Sequence, residues 1–547
     1  MAKIFKKVFK DPLYDYIKID NNICEKIIDS KYFQRLRRIE QTSMRCLYPS
    51  ARHDRFIHSI GVYHLARVAI NALKKNGFVT ISDNNVDNEE KYNLPEAREI
   101  ETIYFSFEMA ALLHDVGHSP FSHTLEGYFK EIAKRDENGK LYSRDILEEF
   151  YEVAGKINSS VEEENFEEFK ADCNASGAAP HEIASCILIF KCYKDILAKI
   201  AEERNEDTGK TSENGIKTLY LFLARCILGA LYSNDTDINR FKNCIIKLLN
   251  SSIDVDKLDY ITRDSAVSGF ANTMVDTKRL LGSLVFAIYS DTDKRQKICL
   301  AFQKTAVGVI QNVVNSRNAL HTWIYAHHKV AYEGYLIETA VKMIAEKAEK
   351  KETPQEFITK YFSTDSIEKC LISDDAIWNL FMDNRNIPEV EVVISRNKRK
   401  KAIWKSFAEF QAYFSASDNI TPIGSFSTEQ MEAFLKRDGN DNDLDDFKKY
   451  INDFSPEGEY KFNFDIVVNK TKLTHIEHNS IMIYINNKLY SFDTIFSDLY
   501  KKAEVPPFFY LYCSKEDKIK LSENNYKYKN KLIEYIKQYP QFRLTPC

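Results

Sequence analysis

Apolar residues recur every three to four positions over residues 23–47, 57–73, 101–113, 181–200, 216–232, 241–250 and 307–348. That spacing lines one face of an α-helix, so most of the first two thirds of the chain is expected to be helical. Before it, Val8-Phe9 and residues 16–19 flank Asp11-Pro12, which predicts a small hairpin. Polar stretches at 76–98, 136–179 and 202–215 interrupt the helices and read as surface insertions, the middle one with helical sections of its own. After about residue 353 the period shortens to the alternating segments 460–468, 481–485 and 507–512, separated by charged turns. The expected fold class is mainly α: a helical core over 1–350, then a smaller α+β C-terminal region over 351–547, a candidate assembly or regulatory lobe. The Asp/Asn-rich turn 436–443 lacks the spacing to a terminal Glu that a calcium loop needs, and reads as a solvated linker.

Composition narrows the partners. With 547 residues, 44% of them hydrophobic, the chain can bury a large core. A formal net charge of −4 argues against a surface built for long nucleic-acid tracts, so nucleic acid is not the favoured ligand, while small phosphorylated ligands remain compatible. Eleven cysteines without a Cys-x-x-Cys pair point to a reducing, cytoplasmic setting. No apolar run approaches the roughly 20 residues of a bilayer span, so no membrane partner is expected. The basic run 396–401, followed by Ile403-Trp404, reads either as a solvated helix start or as a contact for a nucleotide or nucleic acid.

The chemistry concentrates in three separated segments. They are Arg55-Phe56-Ile57-His58-Ser59, the run from His114-Asp115 to His123, and the run from Asp254 to Asp264. His58, His114, Asp115 and Asp256 would make a mixed nitrogen and oxygen site, which suits a divalent metal ion that keeps positions open for water and phosphate. His114-Asp115 ends an apolar helical run that would not bury an ionisable pair without partners. His53-Asp54 sits in a polar turn where turn and capping chemistry suffices. His118 falls one turn after His114 if that helix continues, and His123 lies past the Ser119-Pro120 break. Imidazoles there could bind phosphate, donate a proton or hold a second metal. Asp256, Tyr260 and Asp264 fall on successive turns of one helix face.

Read together, Asp11-Pro12, Phe33-Gln34-Arg35-Leu36-Arg37, Arg55-Phe56-xx-His58-Ser59, His114-Asp115-xx-His118-x-Pro120-Phe121-Ser122-His123, His181-Glu182, Asp254-x-Asp256-Lys257-x-Asp259-Tyr260-xx-Arg263-Asp264 and Ser316-Arg317-Asn318 occur in the order of a known family. The chain resembles the HD-domain phosphohydrolases, and within them the deoxynucleoside triphosphate triphosphohydrolase branch. The resemblance implies hydrolysis of a deoxynucleoside triphosphate to deoxynucleoside and inorganic triphosphate, a divalent metal cofactor and a homo-oligomer. It makes His181 the general acid for the leaving 5′-oxygen, oriented by Glu182, with His118 and His123 beside it in the catalytic set. It also assigns Gln41 to the sugar 3′-hydroxyl, Tyr260 and Asp264 to the deoxyribose pocket, Tyr325 to the crowding of the sugar, and Arg55, Lys257 and Arg317 to the triphosphate. Asp29, Gln34 and Arg37 match positions that touch an activating nucleotide effector in relatives. The chain departs from the family pattern at Thr42-Ser43-Met44, where a leucine and glycines are usual, at Leu13-Tyr14-Asp15 in place of a His-Gly pair, and at Lys10 in place of an Asn. An HD-type phosphodiesterase or nuclease and a non-catalytic nucleotide sensor are the competing readings.

Overall fold

The computed structural model describes residues 6–81, 92–135, 140–207, 215–270, 275–291, 295–347, 353–414, 428–436, 441–458, 460–469, 481–496 and 507–542. The centre of the Asp/Asn-rich turn and parts of the three polar stretches lie outside the described residues. The fold is mainly α, and the chain divides into two compact units. One comprises residues 1–317, 345–380 and 476–501, the other 318–344, 381–475 and 502–547. Each unit draws on separated stretches, whereas the sequence pattern places a single boundary near residue 350.

In the first unit the hairpin forms as the alternation predicts: Lys6–Asp11 pairs antiparallel with Asp15–Asp20. Asp11 Oδ1 accepts the N–H groups of Leu13 and Tyr14 at 2.7 and 3.0 Å and so closes the turn. The helical period over 23–47 does not become one helix. It breaks into a π turn Cys24–Ile28, a short helix Lys31–Gln34 and 3-10 turns Arg35–Arg38 and Ser43–Cys46. Tertiary hydrogen bonds decide this, because the buried Arg35 guanidinium donates to the carbonyls of Val116, His118 and Ile372.

Five helices carry or brace the site. Helix α1 (Arg55–Asn76) is capped by Asp54, which accepts the Ile57 N–H at 3.0 Å, and it ends at Gly77 with φ 65°. Helix α2 (Ala97–Leu113) is buried almost all round from Ile103 onward, as befits the central helix of a bundle. Helix α3 (Pro180–Leu188) starts on proline, whose fixed φ suits the first helical position. Helix α4 (Val255–Ser268) is capped by Asp254, and helix α5 (Asp374–Asp383) comes from far along the chain.

The middle polar stretch is not a surface insertion. Its helices Ile146–Val161 and Phe166–Ser176 bury Phe150, Ile157 and Phe169, and Glu164 and Asp172 between them bind the fully buried Arg225. The first unit also holds a five-stranded sheet that the helical pattern does not predict. Its order is Lys488–Ser491, Met482–Ile485, Gln296–Gln303, Leu284–Ser290, Phe78–Ile81. Leu284–Ser290 is a continuous apolar run buried on both faces for five residues, so it carries no alternation. The segment 481–485, expected in the C-terminal region, pairs parallel to Gln296–Gln303 instead.

The second unit contains a three-stranded antiparallel sheet of Lys401–Ala402, Phe508–Cys513 and Asp465–Asn469, with the fully buried Phe508–Cys513 in the middle. Trp404 is buried beside it and donates Nε1–H to the Phe509 carbonyl at 2.6 Å. The basic run is largely neutralised within this unit: Arg399 pairs with Glu333 and Lys400 with Asp465. No described helix is long and apolar enough to cross a membrane.

Candidate metal and proton-transfer site

The metal ligands read from the sequence come together in the first unit. α1 presents His58 one turn after its start, α2 ends at His114 and Asp115, and the first turn of α4 supplies Asp256. Ligand atoms of His58, His114 and Asp115 lie within 4.8 Å of one another. Asp256 Oδ1 stands 2.9 Å from His58 Nε2 and 3.6 Å from His114 Nε2.

Both rings are turned so that Nε2 faces the cluster. His58 Nδ1 bonds Asp259 Oδ2 at 2.8 Å, and His114 Nδ1 bonds the Ala111 carbonyl at 3.0 Å. Those acceptors take the Nδ1 protons, so in the neutral ring each Nε2 would have its lone pair free for a cation. Both Nε2 atoms are buried, and the Asp256 carboxylate is the group that faces them. Burial disfavours a charged His58, yet the carboxylates of Asp256 and Asp259 outweigh it and raise its pKa to about 10. The excess negative charge that a proton offsets there is the charge a divalent cation would offset. Buried nitrogens facing two carboxylates fit a divalent metal ion.

Behind the ligands lies a chain of charges that the sequence reading left unassigned. Asp259 receives two hydrogen bonds from Arg263 at 2.8 Å each, and Arg263 also binds Asp11 at 2.9 Å. The Asp11-Pro12 motif and the α4 motif are thus two ends of one buried network that orients His58. Gly61 makes room for it, since a Cβ there would stand 2.1 Å from Asp259 Oδ1 and 2.4 Å from Arg263.

Beyond Asp115, α2 does not continue. His118 therefore joins the site through a loop, and the imidazoles of His118, His123 and His181 gather with ring centroids 4.4–5.3 Å apart. Gly117 permits this approach, because a Cβ there would meet the Ser185 backbone nitrogen of α3 at 2.2 Å. Glu126 binds two of the rings, His181 Nδ1 at 2.5 Å and His123 Nδ1 at 2.8 Å. Burial opposes charge on His181, but Glu126 outweighs burial and raises its pKa to about 9. Burial, with Arg55 and the neighbouring imidazoles, pushes His118 well below its ordinary value, so the proton resides on His181. The sequence reading gave the orienting role to Glu182. That carboxylate instead accepts the Ala179 N–H at 2.6 Å and caps α3. Glu126 was missed; three residues after His123, it had only that spacing to mark it.

The expected substrate contacts are dispersed in role. Arg55 is buried and its guanidinium is already engaged, with Asp115 at 2.8 Å, Ser122 Oγ at 3.1 Å, the Gln41 carbonyl at 3.1 Å and His123 Nε2 at 3.3 Å. It braces Asp115, and burial of its charge beside that carboxylate leaves it little freedom to clamp phosphate. Gln41 is buried with Oε1 lacking a partner, and Arg317 is buried with Nε likewise unpartnered. Lys257 Nζ bonds Asp254 Oδ2 at 2.6 Å, and despite burial Asp254 keeps it firmly charged. Asp256, Tyr260 and Asp264 share the unbroken α4, and Asp264 bonds His53 Nε2 at 2.6 Å. His53 was set aside as a turn residue; the capping half of that reading, Asp54, holds. Tyr325 belongs to the second unit, in the π turn His321–Tyr325, where its ring packs on His321 at 5.0 Å. Among the residues matched to an effector site, Asp29 pairs with Lys7 at 2.9 Å, Gln34 donates to the Ile28 carbonyl, and Arg37 bonds Gln34 and stacks on Phe56.

Residues 55–191 match the family model of the HD domain. The chain is similar to the deoxynucleoside triphosphate triphosphohydrolase SAMHD1 of Xenopus laevis, 26% identical over 404 residues, which cover 72% of this chain and 54% of that protein. The Homo sapiens protein of the same name is 28% identical over 341 residues, covering 61% of this chain and 43% of its own. The chain spans about half the length of these curated relatives. An uncharacterized protein of Methanocaldococcus jannaschii is 24% identical over 503 residues, 89% of this chain and 84% of that one. Among solved structures, a hypothetical protein from Aquifex aeolicus superposes with a TM-score of 0.51 at 18% identity, covering 97% of this chain and 100% of that chain. A phosphohydrolase from Bacteroides thetaiotaomicron gives 0.50 at 17%, covering 93% and 100%. Both share the fold.

Proposed function

We propose that the chain, whose residues 55–191 match the HD domain, is an HD-domain phosphohydrolase and hydrolyses deoxynucleoside triphosphates to deoxynucleoside and inorganic triphosphate. The observation that carries the reading is the pairing of a buried nitrogen and carboxylate cluster, His58 and His114 with Asp115 and Asp256, with a neighbouring imidazole that Glu126 keeps protonated. The ligands would hold a divalent ion that, when bound, offsets charge on phosphate oxygens and makes water a better nucleophile. Water adds to the α-phosphorus and the bond to the 5′-oxygen breaks. His181 delivers the proton that this oxygen needs, and Glu126 stabilises the imidazolium until it does so. His118, neutral, stacks on the His181 ring and can accept a hydrogen bond from water. Lys257 and Arg317 offer charge to the triphosphate, and α4 presents Tyr260 and Asp264 toward the sugar.

The phosphodiesterase reading would use His118, His123 and His181, whose ligand atoms also lie within 4.8 Å of one another, for a second metal. The Arg55 guanidinium 3.3 Å from His123 Nε2 argues against a second cation there, because two like charges at that range repel strongly. The decisive experiment incubates the purified protein with each dNTP and Mn²⁺ or Mg²⁺ and resolves products by chromatography. Triphosphate and deoxynucleoside in equal amounts support the reading. Polynucleotide cleavage with no triphosphate from any dNTP replaces it with the phosphodiesterase.

A further inference from the structure

Two consecutive non-glycine residues in the loop that follows α2 are left-handed: Phe121 at φ 56° and Ser122 at φ 51°. Each costs about 1–2 kcal/mol, and such a turn persists only where its surroundings over-determine it. The turn has consequences for the site on both sides. It delivers Ser122 Oγ to the Arg55 Nε and the His123 ring to Glu126. Local bonds contribute, since Ser119 Oγ donates to the Ser122 carbonyl at 2.6 Å. The strongest outside restraint arrives from more than 250 residues away: Asp374 Oδ1 accepts the Phe121 N–H at 2.7 Å, and its Oδ2 accepts the Glu40 N–H at 2.9 Å. The Glu40 carbonyl in turn accepts the Ser122 hydroxyl, and the next residue, Gln41, holds Arg55 through its carbonyl.

We infer that Asp374, at the start of α5 and outside the segment that matches the HD domain, is a positioning residue. It ties segment 40–41 to turn 121–122, so that Arg55, Ser122 and His123 keep their places beside the metal ligands. The inference rests on the hydrolytic reading above for its kinetic consequence, though not for its structural one. A carboxylate suits the task because both oxygens face backbone N–H donors. Asparagine would turn an NH2 group toward one of them, and a longer acid would displace both bonds. The segment carrying Asp374 is fixed independently of its side chain, since the Ile372 carbonyl accepts from Arg35.

The test compares Asp374→Asn and Asp374→Glu with Ile377→Val, a change at a fully buried position of the same helix with no bond to the loop. Metal content, KM and kcat are measured on the full chain, together with hydrogen exchange at residues 119–124. Both Asp374 variants are expected to lose kcat by roughly 10-fold or more, as displacement of a catalytic group by about 1 Å does, with KM and bound metal within about twofold of the parent. Exchange at the Phe121 amide should accelerate, while Ile377→Val changes neither. If one Asp374 variant does not fold, the other carries the comparison. The inference is overturned if exchange at Phe121 is unchanged, if kcat is retained in an active enzyme, or if kcat falls only in step with lost metal. Should the parent hydrolyse no dNTP, the functional reading fails by itself and the exchange result still decides the positioning role.

Discussion

Substituting Glu126 by Gln keeps the shape and the hydrogen-bonding oxygen but removes the charge that holds a proton on His181. The structure sets the size of the effect. Glu126 is the principal group raising His181 from 6.5 to about 9, against the opposing cost of burial. A difference of roughly 2.5 pKa units corresponds to about 3.4 kcal/mol between the two protonation states. At pH 8 an imidazole of pKa about 9 is about 90% protonated, while one at 6.5 is about 3% protonated, so kcat is expected to drop roughly 30-fold. The deficit should shrink toward acidic pH, where His181 regains its proton without help, and the alkaline limb of the kcat profile should move down by about two units or more. A bound dication lowers the pKa in both proteins, so the separation of the two limbs carries the test. The assay is steady-state release of triphosphate at saturating metal over roughly pH 5.5 to 9.5, which brackets both the ordinary and the raised imidazole titration. An equal deficit at every pH, or an unshifted limb, refutes His181 as a proton donor governed by Glu126.

His114→Ala should abolish bound metal and turnover with little loss of stability, because its ring bonds only the Ala111 carbonyl outside the cluster; undiminished metal by elemental analysis would remove it from the ligand set. Asp115→Ala should do the same but also destabilise by about 3–5 kcal/mol in denaturant titration, since it strips the buried Arg55 of its carboxylate. Gly61→Ala should cost about 1–3 kcal/mol and weaken metal retention together, because the new methyl must displace Asp259 and Arg263; a variant with the parent's midpoint and metal content would show that the network has slack. GTP should be hydrolysed far more slowly than dGTP if Tyr260 and Asp264 crowd the 2′-position, and equal rates would exclude that pocket.

The cluster of His58, His114-Asp115 and Asp256 was legible in the sequence because residues able to bind a metal are few and chemically distinctive, and two of the helices that carry them start at the Asp54 and Asp254 caps. Helices α1 and α2 were legible for a related reason: their apolar period is local. Nothing local told that Leu284–Ser290 would sit in a sheet with 482–485, because strand pairing is a contact between distant segments and a strand buried on both faces shows no alternation. The same holds for charge. Arg55 looked like a phosphate clamp and Glu182 like the partner of His181, since sequence supplies a residue's chemistry without its neighbours. Only the folded chain placed Asp115 against Arg55, Glu126 between two imidazoles, and Asp374 under a strained turn. What the sequence determined by itself was the inventory of candidate ligands and the apolar helices beside them; which carboxylate faces which cation was decided by packing, because hydrogen bonds and ion pairs act over a few ångströms between residues up to hundreds of positions apart.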